Sequence, residues 1–538
     1  LFVFKDLNFN LKLFTLTRLP DQTMDPSLNW NLKSTYQSLP DLFFKKTNPL
    51  PVKNPKLLLW NSALAYDLNL DSEKRGFNLT SDGHFPFVSR DVPEFQSELV
   101  YLSEIFSGNK FPDGASPLNQ AYAGHQFGHF TMLGDGRACL LGEQVDRSGK
   151  IWDIQWKGSG PTPYSRGGDG RATLSSMFRE YIISESMNHF SIPTTRSLAL
   201  VATGEPVYRE RVQPGGVLTR VARSHIRVGT FELAYHFLGV PELTALAEYT
   251  IQRLYPEIPE SPERFIHFFA SVRDRQVRLI VEWMRVGFIH GVMNTDNMSI
   301  AGETIDYGPC AFMNQYKAGT VFSSIDRQGR YAYANQPAIA QWNLACLANA
   351  LLPLLHENQE KSVELAREVL DGFADEFDQL YWEMLAQKIG ISEISEESKE
   401  KIQELFSIME TESLDFTNTF LFLESELVGS EPIPEEIRAE FQKPSLQAWT
   451  EGWKDFRKRL GIADPKSLDW MRKANPRMIP RNHLIENFLK DLEEGGSLAD
   501  FQSWFRIFAS PGSLKDVPVG YLLPPFGGDQ GYKTFCGT

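Results

Sequence analysis

Residues 286–309 read VGFIHGVMNTDNMSIAGETIDYGP. It follows Phe265, Phe268, Phe269, Val272, Val277, Ile280 and Val281, an apolar stripe near helical spacing that predicts a helix over Pro262 to Phe288. That helix ends near Val286-Gly287. Met298 to Ile300 then reads as a short strand, Gly302 as a turn and Thr304-Ile305 as a second strand. Asn297 and Asp306 bracket this expected hairpin. Amide and carboxylate oxygens are hard donors of the kind Mg²⁺ takes, and Mg²⁺ keeps several waters, so one of each can be enough from a protein. Asp296 is the nearest acid.

Upstream, Ile151 to Lys157 alternates strictly, with Trp152, Ile154 and Trp156 on one face and Asp153, Gln155 and Lys157 on the other. The apolar face must pack on a core, so Lys157 points into the cleft that the sheet lines. Phe130 to Cys139 reads strand, Gly134-Asp135-Gly136 turn, strand, continued through Leu140 to Val145. Such glycines let the backbone approach phosphates and leave N–H groups for them. Ser165 to Arg171 is a second glycine-rich linker. The helix after it has an apolar stripe of Leu174, Met177, Phe178, Tyr181 and Ile182, and carries Glu180, the candidate partner of Lys157. Arg220 and Arg227, seven apart with Arg223 between, are expected on one helix face as phosphate clamps.

Glycine loop, lysine strand, glutamate helix, His290…Asn297 and Asp306-Tyr307-Gly308, in this order, resemble a protein kinase. The expected fold class is α+β: a two-lobed kinase-like fold with a small β-rich N-lobe, a large helical C-lobe and a helical C-terminal extension. Asn297 lies seven residues after His290, where the kinase loop places its metal-binding Asn, and Asp306 lies at the D-F-G aspartate. One position departs. Two residues after His290, where a kinase holds its base, stands Val292. No Walker-type or Rossmann glycine motif occurs. His125 and His129 have the spacing of a helical metal pair, but the flanking glycines argue against a helix there.

The chain has 538 residues, with 54 Lys+Arg against 68 Asp+Glu, a formal net charge of −14. An acidic chain without a basic block is a poor nucleic-acid or anionic-membrane binder. The four cysteines include no C-x-x-C pair, which argues against a disulfide framework or structural zinc and for a reducing compartment. The most apolar run, Leu344 to Leu355, is shorter than the ~20 residues of a spanning helix. A cytoplasmic location is expected, or a mitochondrial one for a eukaryotic source. The expected organisation is an N-terminal extension (1–23), a loop-rich region (24–120), the N-lobe (121–215), the C-lobe (216–390) and a helical extension with its tail (391–538).

Longer strings carry a closer resemblance: YAGHQFGHF (122–130), LGDGRA (133–138), WKGSGPTPYSRGGDGRA (156–172), TGEPVYRE (203–210), HGVMNTDNM (290–298) and IDYGP (305–309). Together they are similar to the selenoprotein O adenylyltransferases, strongly over roughly residues 50–345 and more loosely to the C-terminus. Some members carry selenocysteine third from the end, where this chain has Cys536. The resemblance implies a pseudokinase that binds ATP in a flipped orientation and moves AMP to protein Ser, Thr or Tyr hydroxyls. It implies nucleotide contacts at Gly134, Gly136, Arg137, Lys157, Asp169, Gly170, Arg220, Arg227 and Asp306. Glu180 would position Lys157, Asp296 would accept the proton, and Asn297 and Asp306 would hold Mg²⁺. Some relatives use UTP with Mn²⁺. A redox bond between Cys310 and Cys536 is also implied, with Phe322 aligned where some relatives have a cysteine. A true kinase with Asp296 as base and a non-catalytic ATP-binding scaffold remain as alternatives.

Overall fold

The computed structural model describes residues 28–70, 96–126, 128–494, 498–509 and 513–534. The expected extension 1–23 and Cys536 lie outside them. Among the described residues ten strands form one antiparallel sheet. In chain order they are Leu32–Lys33 (β1), Phe44–Lys46 (β2), Lys56–Trp60 (β3), Leu118–Gln126 (β4), His129–Gly134 (β5), Ala138–Val145 (β6), Ile151–Lys157 (β7), Ala172–Thr173 (β8), Arg196–Tyr208 (β9) and Val212–Ala222 (β10). The main path runs β2-β4-β6-β7-β10-β9-β3. The stretch read as loop-rich, 24–120, therefore supplies both edges of that path. Short helices Ser62–Asp67 (α1) and Gln96–Phe106 (α2) accompany it.

The alternation of β7 sorts its side chains as expected. Ile154 and Trp156 join Leu141, Leu198 and Val201 in an apolar cluster under the sheet. Asp153, Gln155 and Lys157 face the other way and are also buried, each held by charged or polar partners. β7 lies between β6 and β10, with Lys157 opposite Ala138 and Leu218. The glycine turn differs from the expected hairpin. β5 and β6 do not pair with each other; each pairs with β4, over Ala121–Gln126 and at Leu118.

Leu174–His189 (α3) is capped by Thr173, whose hydroxyl accepts from the Ser176 N–H, and packs on β9 and β10. Val228–Leu233 (α4), Val240–Leu254 (α5) and Arg264–Arg285 (α6) open the helical lobe. α6 stops three residues short of the expected Phe288, because Gly287 takes a left-handed φ of 71° and Phe288 enters a strand. That strand, Phe288–Ile289 (β11), pairs with Ala311–Phe312 (β12). The hairpin expected over Met298 to Ile305 does not form. Ser299 bridges Arg227 instead, and Thr304 bridges Thr194. The acid loop is thus closed at its base by β11–β12 and held open at its tip by bonds to other segments.

Gln336–Leu355 (α7), Gln359–Lys388 (α8), Glu396–Thr411 (α9) and Phe416–Ser425 (α10) follow. By length and hydropathy alone Tyr333–Leu355 could cross a membrane, which the dozen-residue apolar run did not suggest. Here it packs against α4, α6 and α8, burying Leu344, Leu347 and Leu351. Glu435–Glu440 (α11), Pro444–Arg459 (α12), Asp464–Ala474 (α13), Asn482–Glu493 (α14), Ala499–Ala509 (α15) and Val519–Leu522 (α16) complete the extension. It is no loose appendage: α13 packs on α8 and α14 on α3. The fold is α+β and kinase-like, with a sheet lobe over a helical lobe.

Candidate active site

The sheet, α3 and the acid loop meet at one carboxylate. Lys157 Nζ donates to Glu180 Oε2 at 2.6 Å and to Asp306 Oδ1 at 2.7 Å. Arg220 Nη1 donates to the same Asp306 oxygen at 2.6 Å and lies 3.5 Å from Glu180 Oε1. Arg227 Nη1 is 3.6 Å from Asp306 Oδ2 and donates to the Asp296 carbonyl at 3.1 Å. Its guanidinium sits 4.3 Å above the Tyr122 ring. Burial by itself would raise the Asp306 carboxyl; Lys157, Arg220 and Arg227 overcome that and hold it well below the usual carboxylate range. Asp306 therefore stays ionised, on a backbone held at a left-handed φ of 64°.

Arg220 and Arg227 do not share a helix face as their spacing suggested. Arg220 is on β10, because residues 212–222 complete the sheet between β7 and β9, and Arg227 is the N-cap of α4. They converge because strand and helix start both face Asp306. Arg223 turns away, 5.3 Å over the Trp152 ring. Gln155, one turn of the pleat from Lys157, accepts from Arg220 Nη2 at 2.6 Å and Nε at 3.2 Å.

Asp135, read in the sequence only as part of a turn, is a buried member of the site. Its Oδ2 accepts from the Gln120 N–H and from Gln155 Nε2, and its Oδ1 is 3.9 Å from Arg227 Nη2. Burial pushes its carboxyl up to about 6 against the pull of Arg227. Asp296 is pushed up to about 6 by the same cause, again opposed by Arg227. Its Oδ1 is buried without a hydrogen-bond partner. A carboxylate poised near neutrality suits proton acceptance. Val292, in the kinase base position, is buried.

The second glycine-rich linker lies on the first. Thr162 Oγ1 donates to the Asp135 carbonyl at 2.6 Å, the Ser165 hydroxyl donates to the Gly136 carbonyl, and the Tyr164 ring packs on Gly134. Gly170 makes this possible: at φ +62° a Cβ there would sit 2.0 Å from the Gly160 oxygen. Asp169 stands outside the cluster. It is exposed, and Arg209 grips its carboxylate through two bonds of 2.8 and 3.0 Å. The Arg137 carbonyl accepts from the Gly158 N–H at 2.7 Å and ties the first loop to the end of β7. A cavity of about 490 Å³ under Ser38, Tyr249 and Arg264 holds none of the predicted residues.

Asn297 is half-buried; its amide N–H donates to the Val292 carbonyl at 3.1 Å, which leaves the amide oxygen as the hard donor. With the ionised Asp306, that donor set fits Mg²⁺. Cys310 is wholly buried and its carbonyl accepts from Arg179 Nη2 at 2.7 Å. Its implied partner, Cys536, is outside the described residues. Thr534, the last described residue, donates its hydroxyl to the Pro309 carbonyl at 2.7 Å and its N–H to the Phe322 carbonyl at 2.9 Å.

The acid loop rests on Gly229. A Cβ there would lie 1.9 Å from the Ala123 oxygen and 3.4 Å from Asp296 Cα. Gly229→Ala must push α4 off β4 and displace Asp296. We expect a stability loss of about 1–3 kcal/mol, read by thermal melting, together with a loss of transfer activity in the folded fraction.

Known proteins match this chain along most of its length. The family model described as "Protein adenylyltransferase SelO" matches residues 26–508. "Protein nucleotidyltransferase YdiU" of Bacillus thuringiensis (strain Al Hakam) is 45% identical over 516 residues, 96% of this chain and 100% of the relative. The protein of that name in Brevibacillus brevis is 47% identical over 516 residues, 96% of this chain and 99% of the relative. A solved structure, ROP2 from Toxoplasma gondii, described as having a protein-kinase fold and no enzymatic activity, aligns at 10% identity with a TM-score of 0.24. It covers 62% of this chain and 87% of that one, a likeness too low to argue from. The family model over residues 26–508 and the full-length relatives at this identity show that the chain belongs to the SelO family and is a protein nucleotidyltransferase.

Proposed function

We propose that this chain transfers AMP from ATP to Ser, Thr or Tyr hydroxyls of proteins, with the triphosphate end reversed relative to a kinase. The observation that carries this reading is Asp296: buried, with an unpartnered Oδ1, and pushed up to about 6, while the kinase base position is apolar Val292. The acceptor oxygen attacks the α-phosphorus, the bond to the β-phosphate oxygen breaks, and pyrophosphate leaves. The hydroxyl proton goes to Asp296. Lys157, Arg220 and Arg227 hold the phosphates, and Glu180 fixes Lys157 against them. Such preorganised charge needs no rearrangement as negative charge moves to the leaving group. Mg²⁺ held by Asn297 and Asp306 would supply charge neutralisation on the phosphates. The Gly134 and Gly136 loop and the Gly170 loop over it would lie along the nucleotide.

The test is mass spectrometry of the protein and a model acceptor after incubation with ATP and Mg²⁺, with UTP and Mn²⁺ alongside. An AMP adduct that is absent in Asp306→Ala is the expected result. A phosphate adduct would make this a phosphotransferase with Asp296 as base. A UMP adduct in place of AMP would change the nucleotide. Nucleotide binding with no adduct of any kind would leave a scaffold.

A further inference from the structure

Three donors stand apart from the phosphate cluster. His125 is on β4, Glu232 on α4 and Cys346 on α7, and one ligand atom from each lies within 4.8 Å of the others. His125 Nδ1 is 2.5 Å from Glu232 Oε1. Glu232 is 2% exposed, and its second oxygen is buried with no hydrogen-bond partner. An imidazole–carboxylate pair alone does not account for that oxygen, since a buried acceptor left unsatisfied is costly. A cation shared with a sulfur would satisfy it. His125 and Cys346 are only half-buried, so the group opens to solvent on one side.

The sequence hid this group. His125 and His129 have metal-pair spacing, but His129 is exposed on β5 opposite Gln126 and turns out not to be the neighbour that matters. The true neighbours are more than 100 residues away.

We propose that His125, Glu232 and Cys346 bind one transition-metal cation of the zinc class, at a site separate from Asn297 and Asp306. Nitrogen, oxygen and sulfur together form a borderline-soft donor set, which suits Zn²⁺ or Co²⁺ and not Mg²⁺. Three protein ligands leave a fourth position for water. On binding, the His125–Glu232 hydrogen bond gives way, the ligating ring nitrogen of His125 is left without its proton as the imidazole changes tautomer through solvent, and the Cys346 thiol proton leaves to solvent.

The position gives the site leverage on the acid loop. The His125 N–H donates to Thr295 Oγ1 at 2.7 Å, and its neighbour Gly124 lies so close that a Cβ would be 2.9 Å from Asp296 Oδ1. Glu232 is on the helix that Arg227 caps, and Cys346 belongs to the helical lobe. A bound cation therefore pins strand, clamp helix and helical lobe around Asp296. The site does not rest on which nucleotide is transferred.

The experiment uses the full chain, stripped with a chelator, kept reduced and titrated with Co²⁺ under excess Mg²⁺. One equivalent should bind and give a near-ultraviolet sulfur-to-cobalt charge-transfer band. Cys346→Ser should lose the band, and His125→Gln and Glu232→Gln should weaken binding at least ~10-fold. Asp306→Ala should keep the band unchanged. Metal-free melting curves show that each variant folds, and half-buried His125 gives a mild substitution should Cys346→Ser melt early. Absence of the band in the wild type overturns the proposal. So does a band that persists in Cys346→Ser, that is lost in Asp306→Ala, or that excess Mg²⁺ abolishes.

Discussion

Asp306→Ala will lower nucleotidyl transfer by about 10³-fold or more, near 4 kcal/mol of transition-state stabilisation, while nucleotide binding without divalent cation is maintained or tightened. The two halves of this expectation come from the same geometry. Among the described residues Asp306 is the one carboxylate that Lys157, Arg220 and Arg227 all reach. Its carboxylate neutralises the charges that a triphosphate would meet. Removing it deletes the hard oxygen that would hold Mg²⁺ and at the same time uncovers three cations. Catalysis and metal-free affinity should therefore move in opposite directions. A residue that merely held the fold together would lower both. Single-turnover transfer rates and nucleotide titrations with a chelator present separate the cases. The variant should also melt earlier without ligand, because its cations repel, and recover when ATP is added. Transfer within tenfold of wild type, or metal-free affinity falling in step with the rate, would refute the assignment.

What could be read in the sequence followed from how local each signal was. Lys157 was legible because a strand's period of two forces it off the apolar face of Trp152, Ile154 and Trp156. The kinase-like order of elements puts Glu180 and Asp306 near Lys157, and both contact it. Asp135 was visible only as a turn residue. Its role depends on Gln120 and Gln155, placed beside it by β4 and β7. Gln155 itself shares the Lys157 face, a signal that pointed to the cleft but not to Arg220. Arg220 and Arg227 converge on Asp306 from a strand and a helix start and not from one helix face, since a seven-residue interval has no helical meaning across a strand end. The misplaced hairpin has a similar cause. Met298 to Ile305 is apolar enough for two strands, but its backbone bonds go to Ile226, Val228, Pro193 and Thr195, which no local pattern reveals.

The helical extension, opaque in the sequence, has its clearest role at Arg481, and replacing that residue yields the largest expected stability effect. Arg481 is 1% exposed. Its Nη1 donates to Asn314 Oδ1 at 2.6 Å and to Asp415 Oδ2 at 2.8 Å, and its Nη2 donates to Asp415 Oδ1 and to the Leu522 carbonyl. Asp415 caps α10, and Asn314 lies two residues beyond β12 at the base of the acid loop. Asp529, from the tail, accepts from the Asn314 N–H and amide, both at 2.7 Å. One guanidinium thus joins the tail, α10 and the loop that carries Asp306. Arg481→Met fills similar volume but leaves Asp415 buried without its counter-charge, at a cost of about 3–5 kcal/mol. Denaturant unfolding measures it. Adding Asp415→Asn, which keeps the cap to the Asn418 N–H, should recover part of the loss, so the double variant should be more stable than the sum of the singles. Pairing explains such a recovery, whereas lost packing alone would give additivity. Below its melting temperature Arg481→Met should still bind nucleotide through Lys157, Arg220 and Arg227, because none of them touches Arg481. A single-variant loss under ~1 kcal/mol would mean that Asp415 reaches solvent when its partner goes, and that the extension is held by its apolar contacts instead.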